Sequence, residues 1–141
     1  MSETELKERV SAMRGERAGF VSPDVPLLSN LSVYDNISLV PRYLTDEKDD
    51  SIRAEIVCLL DLLEISGSIE KKTFQLDSET IFKVKLLRAL MLKDAPTVID
   101  RPFVMLNTAA DISPVVKMLK RISPDGKKVI FLDFEWNRSK Y

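Results

Sequence analysis

The sequence predicts an α/β fold, a short parallel sheet carrying helices, and three stretches predict it. From Phe74 to Phe103 the chain reads as cap, helix, break and buried strand. Asp77 or Ser78 can accept hydrogen bonds from the free amides of a helix start, and Ile81, Val84, Leu86, Leu87, Leu90 and Met91 follow at a period near 3.6. Asp94-Ala95-Pro96 stops that helix, and Thr97-Val98-Ile99 is a β-branched run ending in Asp100, at the strand edge where α/β sheets place their sites. Gly19-Phe20-Val21 is a shorter strand near the start, closed by Ser22-Pro23-Asp24. Val129-Ile130-Phe131-Leu132 is the apolar run of a buried parallel strand near the end. Together they describe a single domain over residues 1–141, with an α/β core from 1–29 and 76–141 and a helical insertion over 30–75.

Composition narrows the function classes. At 141 residues the chain is long enough to bury a core by itself, and its 45% hydrophobic and 30% charged residues are those of a water-soluble globular protein. A net charge of −1 gives no electrostatic case for nucleic acid or an anionic membrane. With no histidine, imidazole dyads and triads and His-ligated metal sites are excluded. The single Cys58 falls in the apolar pattern of a helix and is expected to be a buried thiol, so no disulfide framework or Cys-based metal site is available. No run has the length of a membrane span and the N-terminus lacks the layout of a signal peptide; the expected location is cytoplasmic.

In chain order, Thr4 to Met13 reads as an amphipathic helix, with Leu6, Val10 and Met13 on one face and Gly15 past its end. Ser32-x-x-Asp35 has the pattern of a helix cap, with Val33, Ile37 and Val40 facing inward. Thr45 is expected to cap a longer helix to about Ile65, with Ile52, Ile56, Leu59, Leu60 and Leu63 as its buried stripe and Gly67 and Ser68 at its end. The acidic run Asp46, Glu47, Asp49 and Asp50 suits a solvated first turn better than a metal or partner site. Residues 101–107 read as a loop. A further helix then runs to about Ile122, started either by Thr108-x-x-Asp111 or by Ser113-Pro114, and Ser123-Pro124-Asp125-Gly126 is a turn.

Pro26-Leu27-Leu28-Ser29-Asn30-Leu31-Ser32-Val33-Tyr34-Asp35-Asn36-Ile37-Ser38-Leu39, then Leu76-Asp77-Ser78-Glu79-Thr80, Leu87-Arg88-Ala89-Leu90, Asp100-Arg101-Pro102-Phe103 and Leu106-Asn107 carry a resemblance over about residues 5–135. In this order they resemble the ATPase subunits of ABC transporters, from the segment after the Q-loop through the signature, Walker B and D-loop. The resemblance implies a partial P-loop-NTPase-like sheet and an insertion like the family's helical subdomain, beside which a permease docks. Leu27, Leu28, Leu31, Val33 and Tyr34 are the implied partner-contacting residues.

The resemblance also implies a truncated, degenerate member. The Q-loop glutamine corresponds to Pro23, which has neither an amide group nor a backbone N–H. The acidic general base after the Walker B aspartate, Asp100, corresponds to Arg101, which cannot accept a proton; loss of a positioned base typically lowers a rate by about 10²–10⁴. Asp77, Ser78 and Glu79 bring two carboxylates to the signature position, where they cap a helix and repel phosphate. Asn107 stands at the D-loop and Phe134 after the last strand, where the switch histidine is expected. No G-x-x-x-x-G-K-[S/T] occurs, and only 22 residues precede Pro23 where the family needs about forty or more.

The expectation is therefore a non-enzyme without cofactor or metal, an interaction or regulatory component of an ABC transport system, with Asp100 as a structural strand-end cap. The competing reading is a nucleotide-binding ATPase subunit with a rearranged or partner-completed site. Association is expected as a homodimer or with a permease or ATPase subunit, touching the membrane's inner face only through a permease. The surface expected to drive it is a sheet face left bare, lined by Phe20, Val98, Ile130 and Leu132 with Phe103 and Trp136 near its ends.

Overall fold

The computed structural model describes residues 2, 4–5, 18–123 and 126–141. Most of the helix expected over 4–13, with Leu6, Val10 and Met13, and Pro124 and Asp125 of the expected turn lie outside the described residues. Strands β1 (Gly19–Val21), β2 (Thr97–Asp100) and β3 (Val129–Leu132) form a parallel sheet in that order, with Phe20 beside Val98 and Val98 beside Ile130. The pleat sorts their side chains to two faces. Val21, Ile99, Val129 and Phe131 join the main core, whereas Phe20, Val98, Ile130 and Leu132 gather with Ala18 and Phe134 in a second cluster. That second face is not bare, because Val98 is 0% and Leu132 2% exposed. The expectation of an open apolar sheet face is corrected at Val98 and Leu132, while Phe20, Ile130 and Phe103 are half-buried and Trp136 is 67% exposed.

Helix α1 spans Val33–Leu44, α2 Asp49–Leu62 and α3 Ser78–Leu90. Asp77 is the N-cap of α3, its Oδ1 accepting from the Thr80 amide at 2.8 Å, which decides between Asp77 and Ser78. Phe82, Val84, Leu86, Leu87, Ala89 and Leu90 are all buried, so α3 hides most of its circumference between β1 and α1. Its contact with β1 is backbone to backbone. A Cβ on Gly19 would stand 2.3 Å from the Ala89 carbonyl oxygen, so only glycine lets the strand lie this close. Ile37, Ile52 and Ile56 of the first two helices share one core with Phe82 and Leu86 of the third.

Ser32 caps α1 as its spacing predicts, accepting from the Asp35 amide at 3.1 Å, and Val33 and Ile37 are buried while Val40 is half-buried. Thr45 does not cap the next helix. Its hydroxyl donates to the Pro41 carbonyl at 2.6 Å and accepts from the Glu47 amide, closing α1, and α2 begins four residues later. The end of α2 is also earlier than expected, at Leu62, because Glu64 turns left-handed at φ 61; Gly67 and Ser68 belong to a separate 3₁₀ turn, Ser66–Ser68. Cys58 is exposed, not buried. The buried stripe of α2 runs Ile52, Ile56, Leu60, and a residue two past Ile56 lies about 200° around the helix from it.

After β2, a one-turn helix α4 (Pro102–Met105) replaces part of the expected loop, and α5 covers Ser113–Ile122. The Thr108 start is wrong, and the Ser113-Pro114 start is displaced by one residue: Ser113 is already helical, and the Asp111 carboxylate accepts its amide at 2.9 Å. The chain ends in a 3₁₀ segment, Glu135–Lys140.

Two outcomes follow. Gly19→Ala forces strand and helix apart and lowers stability by ~1–3 kcal/mol in denaturant unfolding, an overpacking cost. Asp77→Ala lowers the thermal midpoint. The Thr80 hydrogen bonds hold the Asp77 carboxyl below its ordinary 3.8, so its contribution is full above that pH and lost as pH falls through the lower folded value. The gap between wild type and Asp77→Ala should therefore be wide in scans near neutrality and close in strong acid.

Candidate functional site

The C-terminal ends of β1 and β2 bring Ser22, Asp24, Asp100 and Arg101 together. Asp100 ends a strand buried at every residue and is itself 0% exposed. A buried carboxylate must be met by donors, and three reach it. The Ser22 hydroxyl donates to Oδ2 at 2.7 Å, and Arg101 donates through Nε to Oδ1 and through Nη2 to Oδ2, both at 3.0 Å. Arg101 can fold back onto its own neighbour because its backbone is left-handed, φ 46 and ψ 59, with its amide donating to the Leu132 carbonyl at 2.7 Å. The same Nη2 also pairs with Asp24. The Asp100 hydrogen bonds, more than the Asp24 pair, hold the guanidinium above its ordinary range.

The loop after β1 is pinned by further cations. Lys85, 6% exposed in the middle of α3, donates Nζ to the Ser22 carbonyl at 3.0 Å. Arg88, one turn on, donates to the Pro26 and Val25 carbonyls at 2.8 and 3.1 Å. Burial lowers the pKa of both groups; the Arg88 charge lowers that of Lys85 further, and Asp24 opposes this. Asn36, buried in α1, then takes the Leu28 amide on Oδ1 at 2.8 Å and returns Nδ2 to the Leu28 carbonyl at 3.1 Å. Residues 22–28 are thus fastened from β2, α3 and α1.

Ser22, Asp24, Lys85 and Arg88 are the members that sequence reasoning missed. Ser22 and Asp24 read as turn formers. Lys85 and Arg88 left a usable signal: they lie among the apolar residues Val84, Leu86, Leu87 and Ala89 of a buried stretch, where cations have to find acceptors inside. Pro23 sits half-buried in this loop and supplies no polar group. At the other end of α3, Asp77 closes the helix start on itself and Glu79 pairs with Lys83 at 3.6 Å. Neither joins the Asp100 cluster by hydrogen bond or ion pair. Asn107 is exposed in a turn, and Phe134 stacks on Trp136 with ring centres 4.2 Å apart.

Of the expected partner-contacting residues, Leu27 (5% exposed) and Val33 (1%) belong to the core and cannot meet a partner. Leu28 is 46% exposed, Leu31 is half-buried, and Tyr34 is half-buried beneath Arg53, whose guanidinium carbon lies 5.1 Å from the ring centre.

The fold is thus a parallel sheet with helices around it and an aspartate at the end of its middle strand, and that strand-end carboxylate is already occupied. By comparison, the chain is 30% identical over 126 residues to the macrolide export ATP-binding/permease protein MacB of Neisseria meningitidis serogroup B, covering 89% of this chain and 19% of that protein. It is 28% identical over 95 residues to the sulfate/thiosulfate import ATP-binding protein CysA of Xylella fastidiosa, covering 65% of this chain and 27% of that one. The bacterial ABC transporter cassette MJ0796, in its dimeric structure, superposes with a TM-score of 0.65 at 22% identity, over 92% of this chain and 57% of that one. CbiO1 of Clostridium perfringens, part of the ABC transporter complex cbiONQ, gives 0.64 at 20% identity, over 92% and 51%. No family model matches. The chain is a relative of the ABC-transporter ATP-binding proteins and has the fold of their cassettes. It spans about a fifth of the MacB protein and about a quarter of CysA.

Breaking the Arg101 pair leaves a buried charge uncompensated. Arg101→Met should lower unfolding free energy by ~3–5 kcal/mol, and Arg101→Met combined with Asp100→Asn by much less. Chemical denaturation of both variants measures the difference.

Proposed function

We propose that this chain is a catalytically inactive ABC-ATPase-like protein that works by contact within an ABC transport system, beside a permease or an active ATPase subunit at the inner face of the membrane. The occupation of Asp100 supports this best. Both of its oxygens are committed to Arg101 and Ser22, and the residue at the general-base position is a guanidinium, which only donates hydrogen bonds and cannot take up a proton. An incoming metal or water would have to displace a bidentate pair in a buried site. Asp77 and Glu79 argue the same way, because an N-terminus capped by its own carboxylate has little attraction left for a phosphate. The pinned segment 22–28 with Leu28, together with Leu31 and Tyr34, is the contact surface in this reading.

The second reading, a nucleotide-binding subunit completed by another chain, draws on the names of the relatives, which are ATP-binding proteins. Turnover separates the two. With Mg-ATP the purified chain should release no phosphate above buffer and gain no thermal stability. Arg101→Glu should remain silent too, since the 141 residues hold no phosphate-cradling G-x-x-x-x-G-K-[S/T]. Phosphate release by either protein, or a nucleotide-dependent rise in melting temperature, would favour the second reading.

A further inference from the structure

The contacts of Arg101 are those of a bound cation. Oxygens from two separate loops converge on its guanidinium: both carboxylate oxygens of Asp100 at the end of β2 and one of Asp24 after β1, with the Ser22 hydroxyl beside them on Asp100 Oδ2 at 2.7 Å. Two carboxylates and a hydroxyl, with no nitrogen or sulfur among them, are the donor set that hard divalent cations take. Asp24 and Asp100 meet the same nitrogen, Nη2, so one positive centre stands between two carboxylates that would otherwise repel each other. Lys85 does not share this task. Its Nζ donates to the Ser22 carbonyl at 3.0 Å, and among the described residues it forms no ion pair with either carboxylate.

The seat is filled by a group that cannot leave. The Asp100 side chain is 0% and that of Arg101 18% exposed, while that of Asp24 is 55% exposed. The guanidinium thus lies between the buried carboxylate and the exposed one, in the position that an ion bridging them would take. Being covalently attached to the residue after Asp100, it loses little translational freedom on closing. We propose that the Arg101 guanidinium replaces a divalent cation: it fills a hard-oxygen seat between Asp24 and Asp100 and joins the two strand-end loops as a bridging metal would. The native chain is therefore indifferent to magnesium, calcium and manganese, and removal of the side chain leaves a seat that these ions can take. The strand-end region keeps one arrangement whatever the supply of metal. This inference goes beyond the functional reading and holds under either version of it, since no nucleotide takes part.

Arg101→Gly is the test, because glycine keeps the left-handed backbone while the side chain is removed. In thermal scans the wild-type chain should melt at the same temperature in EDTA and in magnesium, calcium or manganese chloride. Arg101→Gly should melt lower in EDTA, and calcium or manganese at about 5 mM should raise its midpoint by about 5–10 °C, with potassium chloride of equal ionic strength giving no such rise. The rise should disappear when Asp24→Asn is added, since one carboxylate of the pair is then gone. If Arg101→Gly is unfolded in EDTA, the same ions should refold it, as circular dichroism would report. An Arg101→Gly protein that gains nothing from any of the three ions, folded or unfolded, would overturn the proposal. So would a wild-type midpoint that climbs with metal and loses that climb in Asp24→Asn. Rescue of Arg101→Gly by methylguanidinium but by no metal would overturn it as well, by showing a seat shaped only for a planar cation.

Discussion

Placing the Asp100 carboxylate at the fully buried end of the middle strand is the constraint on which the rest of the structure turns. A lone buried carboxylate is untenable, and the chain answers with the neighbouring residue. Arg101 adopts a left-handed backbone that few non-glycine residues visit, swings its guanidinium back over the strand it has just left, and reaches Asp24 with the same nitrogen. One side chain thereby joins the loop after β1 to the loop after β2. Because the pair is bidentate, it sets an angle as well as a charge balance.

The consequence spreads through the segment that follows β1. Asp24 is tied to Arg101, Ser22 to both Asp100 and Lys85, Val25 and Pro26 to Arg88, and Leu28 to Asn36. A stretch with almost no regular secondary structure is held by cations rooted in α3 and an amide rooted in α1. Fastened in this way, the loop has little conformational freedom left to lose. Preorganised surfaces lose less entropy on association than surfaces that must first be ordered.

Much of this was legible in the residues. The three strands, the Ser32 cap, a cap at Asp77 or Ser78 and the loss of a proton acceptor at Arg101 follow from local chemistry, because each depends on neighbours within a few positions. The errors fall where distant residues decide. Thr45 looks like a cap for the helix ahead and instead closes the helix behind, since a threonine hydroxyl serves either end. Val98 and Leu132 were expected on a bare sheet face and instead are buried in the second cluster, where neighbours distant in the chain cover them. The Arg101 clamp joins residues 77 positions apart, a separation at which periodicity is silent.

Cys58 illustrates how one misplaced expectation becomes useful. It is the chain's single cysteine, and it stands on the solvent side of α2, on the opposite face from Ile56. A maleimide dye or a nitroxide would therefore attach at one defined point, with no residue engineered in and none removed, outside the core and away from Asp100. The native chain already carries a labelling handle from which separations between molecules could be read spectroscopically.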